Sequence, residues 1–126
     1  LDRHSLFEPN YLLEQGMCLP IGSTNLQVFH TPGHTPGSVC FLVDNHLISG
    51  DTIFPGGPGR TNNPSDFTQI VASVRTLLDY LDNEITVYPG HGSDTTISQT
   101  RKEFEIFERS SYPTSLCGDV QWLANP

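Results

Sequence analysis

The sequence predicts an α+β fold. Three observations carry that reading. Residues 39–49 have the pattern of a β-hairpin, and residues 66–81 carry one apolar stripe at helical spacing. Short apolar runs at 26–29 and 85–88 each stop at a Pro-Gly pair, where a strand must end and the backbone must turn. A chain of 126 residues is the size of one domain.

The elements follow in order. Tyr11, Leu12 and Leu13 suit one or two helical turns within residues 9–16. Leu26 to Phe29 reads as a short strand, stopped by Thr31-Pro32-Gly33. Val39 to Val43 is a continuous apolar run, Asp44-Asn45 is a turn, and His46 to Ser49 is the returning strand. Residues 54–64 hold too many glycines and prolines for regular structure. Phe67, Ile70, Val71, Val74, Leu77, Leu78 and Leu81 recur at three- and four-residue steps and predict a helix over 66–81. Ser65 or Asp66 can cap it, Asp66 with Gln69 has the spacing of a capping box, and Asn83 is a stop. Ile85 to Tyr88 reads as a strand, and a second helix is expected over 97–109 with Phe104 and Phe107 inward. The tail from Ser111 holds the single tryptophan, Trp122, and no periodicity.

Composition removes several functions. The formal charge is −8, and the six basic residues form no run. That excludes a nucleic-acid phosphate footprint and binding to an anionic membrane. No apolar stretch is long enough to span a bilayer. Three cysteines, an odd number without a Cys-x-x-Cys, argue for a reducing compartment, so a cytoplasmic location is expected. The chain begins at Leu1 without a methionine and is expected to be a processed product or a fragment.

Three residues are candidate metal ligands: His34, Asp51 and His91. His34 is pinned on both sides in Thr31-Pro-Gly-His-Thr-Pro-Gly37, and a rigid turn presents an imidazole at a fixed angle. Asp51 follows Ser49-Gly50 at a strand end, where a carboxylate can bridge two cations and assist catalysis on a shared water. His91 lies in Tyr88-Pro-Gly-His-Gly92. Taken alone, each is more often an ordinary loop histidine or a turn-capping Asp. His30 stands four residues before His34, but Thr31-Pro32-Gly33 between them excludes a helical metal pair, so His30 is a strand-end side chain. His4 and His46 have no supporting context. Gly56-Gly57-Pro58-Gly59-Arg60 lacks the ending of a phosphate cradle and reads as a flexible loop beside the site. Arg60 either contacts an anionic substrate or makes a structural ion pair, and the structural role is slightly favoured. Cys40, in mid-strand, belongs to the core, and no Gly-x-Ser-x-Gly nucleophile elbow occurs.

The motifs gain weight from their order. Thr31-Pro-Gly-His34-Thr-Pro-Gly-Ser38, a hairpin, Ser49-Gly-Asp51-Thr-Ile-Phe54, Gly59-Arg60-Thr61, an amphipathic helix and Val87-Tyr-Pro-Gly-His91-Gly92 succeed one another. Together they resemble the C-terminal half of a metallo-β-lactamase-fold hydrolase, closest to the glyoxalase II-like branch, over about residues 22–101. The resemblance implies one half of an αββα sandwich, a mostly antiparallel sheet covered by helices, so residues 1–126 would form a single partial domain. It implies that His34 completes a three-histidine side, that Asp51 bridges two metals, and that His91 serves the second. The metals would be divalent: zinc first, with iron or manganese possible. A hydroxide activated on them would attack the carbonyl of a small-molecule thioester or ester.

The family's His-x-His-x-Asp-His run is absent, so this chain would supply only part of the site. Asn62-Asn63 stands where an Asp often follows Gly-Arg-Thr, and the extra helical domain with which glyoxalase II binds glutathione is not expected after the second helix. A complementary N-terminal half, or self-association, is therefore expected. Two alternatives accompany this reading: a non-catalytic truncated module used for binding or assembly, and an iron-dependent persulfide dioxygenase.

Overall fold

The computed structural model describes residues 18–21 and 24–123. The helical turn expected within 9–16, and His4, lie outside these residues. Six strands form one sheet: β1 (Cys18–Ile21), β2 (Thr24–His30), β3 (Val39–Val43), β4 (His46–Gly50), β7 (Thr86–Pro89) and β8 (Thr95–Thr96), in the order β1-β2-β3-β4-β7-β8. Between β4 and β7 the chain makes a two-stranded ladder, β5 (Ile53–Phe54) with β6 (Gly57–Pro58), and helix α1 (Pro64–Tyr80). Helix α2 (Ile97–Arg109) follows β8.

Every neighbouring pair in the large sheet is antiparallel except β4 with β7. A parallel pair needs a long connection, and α1 is that crossover. The consequence fixes the position of the site. β2 and β4 both run opposite to β3, and β7 runs with β4. The C-terminal ends of β2, β4 and β7 therefore emerge at one edge of the sheet. The loops leaving those ends carry His34, Asp51 and His91.

One face of the sheet is buried under the helices. Alternation along the strands puts Phe29, Cys40, Leu47 and Val87 into a core with Phe67, Ile70, Val74 and Leu77 of α1 and with Ile97, Phe104 and Phe107 of α2. Trp122 completes this core, at 1% exposure, edge-on to Phe104 with ring centroids 5.1 Å apart. The opposite face carries a second apolar row. Register aligns Val28 with Phe41, Phe41 with Ile48 and Ile48 with Tyr88 across four strands. Ile48 is 47% and Tyr88 39% exposed, so this row is only partly covered by the described residues.

The predicted elements change in four places. α1 starts at Pro64, not 66, because Asn63 is the cap: its side chain accepts from the backbone N–H of Asp66 at 2.8 Å and donates to the Asp66 carboxylate at 3.2 Å. Pro64 supplies the fixed φ that a first helical residue wants. The helix stops at Tyr80, with Leu81 extended. The Gly/Pro-rich stretch contains the β5–β6 ladder instead of irregular chain throughout. Strands β1 and β8 have no clear alternating signal in the sequence. α2, by contrast, spans the expected 97–109, capped by Thr96 through the N–H of Gln99 at 3.0 Å.

Candidate metal centre

His34 sits on a loop closed at its base by the Thr31 N–H bonding to the Ser38 carbonyl at 2.8 Å. Within the loop, the Thr35 and Ser38 hydroxyls lie 2.7 Å apart. The ring of His30, at the strand end, reaches the Pro36 carbonyl at 2.9 Å and so braces the same loop from outside.

Asp51 leaves β4 through an irregularity. The β4–β7 register slips between Ile48 and Gly50, and Gly50 has φ +52°. A left-handed glycine at a strand end turns the next side chain out of the pleat. The Gly90 N–H then bonds to the Gly50 carbonyl at 2.8 Å, which ties the His91 turn to the Asp51 turn. The His91 ring lies against Phe54, with centroids 4.8 Å apart.

The three residues converge, but pairwise. Nε2 of His34 is 3.4 Å from Oδ2 of Asp51, and Nδ1 of His91 is 3.6 Å from Oδ1. Each carboxylate oxygen thus faces a different histidine. Among the described residues no group of three or more such side chains closes on one point. The arrangement is a carboxylate with one histidine on either side.

The tautomer of His34 can be assigned from its neighbours. Nδ1 is 2.7 Å from the backbone carbonyl of Arg60. A carbonyl only accepts, so Nδ1 carries the proton. In the neutral ring Nε2 then presents a lone pair to a carboxylate oxygen at 3.4 Å. Two acceptors face each other across a gap longer than a hydrogen bond, and a cation between them removes the conflict. An N–H···O=C bond behind a ligating histidine is also the common means of aiming its other nitrogen. The donor set therefore fits divalent metal.

Arg60 itself corrects the sequence reading. The ion pairs among the described residues do not include it. Its contribution to the site is the backbone carbonyl, while the residue itself is exposed and lines a cleft of about 230 Å³. That cleft is lined by the three candidate ligands and also by Asp119, Val120 and Gln121. Complete small-molecule sites measure roughly 300–1,000 Å³. His91 is 77% exposed, so the centre is open on the side away from this chain's core.

The tail that supplies these last lining residues was not legible as part of a site. It is held by a two-bond bridge between Thr61 and Gly118, at 3.0 and 3.3 Å, and by the Trp122 N–H to the Gly56 carbonyl at 2.8 Å. The loop 56–61 is pinned, not loose. The lone tryptophan was the only signal, since a large apolar anchor in an otherwise patternless tail implies that the tail folds back.

Residues 5–91 match the family model described as the metallo-beta-lactamase superfamily. The chain belongs to the metallo-beta-lactamase superfamily. It is 38% identical over 92 residues to the hydroxyacylglutathione hydrolase GloC of Haemophilus influenzae, a match covering 71% of this chain and 43% of that protein. Among solved structures it is similar to ETHE1 from Myxococcus xanthus, with a TM-score of 0.66, 32% identity, and coverage of 74% of this chain and 46% of that one. It is also similar to TTHA1623, solved in a di-iron-bound form, with a TM-score of 0.61, 36% identity, and coverage of 75% and 47%. The chain thus spans under half the length of these relatives. The half-sandwich architecture expected from the sequence agrees with these neighbours. No helix among the described residues is long and apolar enough to cross a membrane.

Proposed function

We propose that this chain supplies one side of a two-metal hydrolytic centre acting on a small-molecule thioester or ester. One observation carries the reading: the two oxygens of Asp51 face different histidines, and the Arg60 carbonyl leaves Nε2 of His34 free to take a cation. His34 would hold one metal, His91 the other, and Asp51 both. When bound, such a metal pair lowers the pKa of a shared water and polarises the substrate carbonyl. The chain's own residues aim and hold. Asp51 sets the spacing between the two positions, Phe54 packs against His91, and the guanidinium of Arg60 offers the cleft a positive charge for an anionic part of the substrate. The name of the Haemophilus influenzae relative makes hydroxyacylglutathione the first thioester to try.

This chain holds two ligands for each metal, and catalytic zinc takes about three protein ligands. The rest of the set would come from a complementary half, docked on the exposed part of the apolar row at Ile48 and Tyr88, or from a second copy. Zinc is the first metal to test, with iron and manganese as the other divalent choices. A one-metal, iron-dependent persulfide dioxygenase is the weaker reading, because it gives no task to His91 beside Asp51. A non-catalytic assembly module needs neither histidine.

Elemental analysis of the purified chain, alone and joined to the complementary half, tests the proposal. The expected result is little metal alone, and two equivalents with thioester hydrolysis when joined. A joined protein that holds no metal would overturn it in favour of the module. One iron, with oxygen consumed in the presence of a glutathione persulfide, would favour the dioxygenase.

A further inference from the structure

Between the loops that carry His34 and Asp51 lies a buried polar cluster that the proposed chemistry leaves unexplained. Thr31 and Thr52 are each 1% exposed, and their hydroxyl oxygens are 3.0 Å apart. The Cys40 sulfur lies 3.5 Å from the Thr31 hydroxyl and donates to the Ser49 carbonyl at 3.7 Å. The Ser49 hydroxyl donates to the Ile53 carbonyl at 2.9 Å and reaches the Tyr88 carbonyl at 3.5 Å. A valine fills the volume of a threonine and leaves no polar atom to satisfy, so packing alone does not call for two hydroxyls here.

Their places in the chain do. Thr31 closes the His34 loop through its own N–H. Thr52 directly follows Asp51, and its carbonyl accepts from the Gly59 N–H at 3.1 Å, one residue before the carbonyl that orients His34. A bond between the two hydroxyls therefore spans the gap between two ligand loops that are 21 residues apart in sequence. The cluster continues through Cys40 and Ser49 to the backbone of β7, which leads to His91.

We propose that the Thr31–Thr52 hydroxyl pair is a positioning clasp that holds Asp51 at its working distance from His34. Cys40 and Ser49 extend it toward the His91 turn. Burial raises the pKa of the Cys40 thiol, so it stays protonated and remains a donor within the cluster. The proposal rests on the metal-centre reading for its purpose, but the clasp can be tested without metal.

The experiment is residue-resolved amide exchange on the full chain, comparing wild type, Thr52→Val, Thr31→Val and Thr52→Ser. In both valine variants the amides of Thr31 and Gly59 should exchange at least about 10-fold faster, while those in the centre of α1 keep their wild-type rates. Thr52→Ser should restore slow exchange, because it returns the hydroxyl. In a zinc titration of the chain joined to its complementary half, the valine variants should bind about 10-fold more weakly, the usual cost of losing a group that orients a ligand. Unchanged exchange at Thr31 and Gly59 would overturn the clasp. So would acceleration of all amides together, or failure of Thr52→Val to fold, since either would make the role one of general stability. His91→Ala in the joined protein separates the two ideas: if it left zinc binding at the wild-type level, the metal-centre reading would fail, and the exchange result would still judge the clasp.

Discussion

The carbonyl oxygen of Arg60 accepts the Nδ1 proton of His34 at 2.7 Å, so a backbone group fixes which face of that imidazole can bind a cation. The side chain of residue 60 is not needed for this. The conformation of the loop 56–61 is. That division separates two roles which the sequence presented as one residue.

Arg60→Gln tests the side chain alone. The guanidinium is exposed and makes no ion pair among the described residues, so stability should stay within about 0.5 kcal/mol of wild type by urea denaturation. Metal affinity should also be unchanged, because the carbonyl remains. Binding of small carboxylates to the cleft, followed by chemical-shift titration, should weaken. If it does not, Arg60 has no part in substrate recognition.

Gly59→Ala tests the backbone. A Cβ at Gly59 would overlap the backbone carbonyl of Asp51, while it would only come into ordinary contact with the Cβ of His34. The Asp51 backbone cannot swing away as a free side-chain end would, so the loop must shift. A loss of about 1–3 kcal/mol is expected, the usual cost of forcing atoms into filled space. The His34 ring should also lose its slow-exchanging Nδ1 proton in the NMR spectrum. Wild-type stability together with a retained proton would show that the loop has slack.

The ligand turns were legible because each is written locally: a proline or glycine stops a strand, and a polar residue follows. The α1 stripe and the span of α2 were legible for a similar reason, since helical periodicity lies within one element. One miss was local: Asn63 caps α1 through Asp66, three residues on, and the competing pair Asp66 and Gln69 had equally good spacing, so only the proline at position 64 could have tipped the choice. The rest was non-local. The wall formed by Asp119 to Gln121 depends on the Thr61–Gly118 bridge, two backbone bonds that leave no mark on side-chain identity. The convergence of His34, Asp51 and His91 depends on the directions of β2, β4 and β7, which follow from strand pairing and not from any one motif.

Cys40 predicts a pH response with a definite sign. Burial raises its pKa above the ordinary thiol value of 9.0, with weaker opposing contributions from Thr31 and Thr52. The folded chain therefore keeps this proton to higher pH than the unfolded chain does. Its contribution to stability is complete below pH 9.0 and falls as the pH rises above it, because only the unfolded thiol ionises there. Alkylation at pH 8 should label the exposed Cys18 quickly and spare Cys40 until denaturant is added. Removing the thiol with Cys40→Ala should flatten the alkaline limb of the stability curve. Fast labelling of Cys40 in the folded chain would contradict its burial.

The row of Val28, Phe41, Ile48 and Tyr88 predicts how the chain associates. Its register is continuous across four strands; Val28 at one end is fully buried, but Ile48 is 47% and Tyr88 39% exposed. No carboxylate belongs to the row, although the chain carries 14 acidic residues. An exposed apolar strip at the centre of a sheet is a contact surface, and self-association is its default when the proper partner is absent. Sedimentation of the wild-type chain should depend on concentration, and a complementary half should suppress that dependence by occupying the same face. Ile48→Lys places a charge at the centre of the strip while leaving the helix-covered core intact. It should abolish association at a cost of under about 1 kcal/mol in stability, as befits a half-exposed side chain. A wild-type chain that sediments as one species at every concentration, with or without the other half, would show that this face needs no partner.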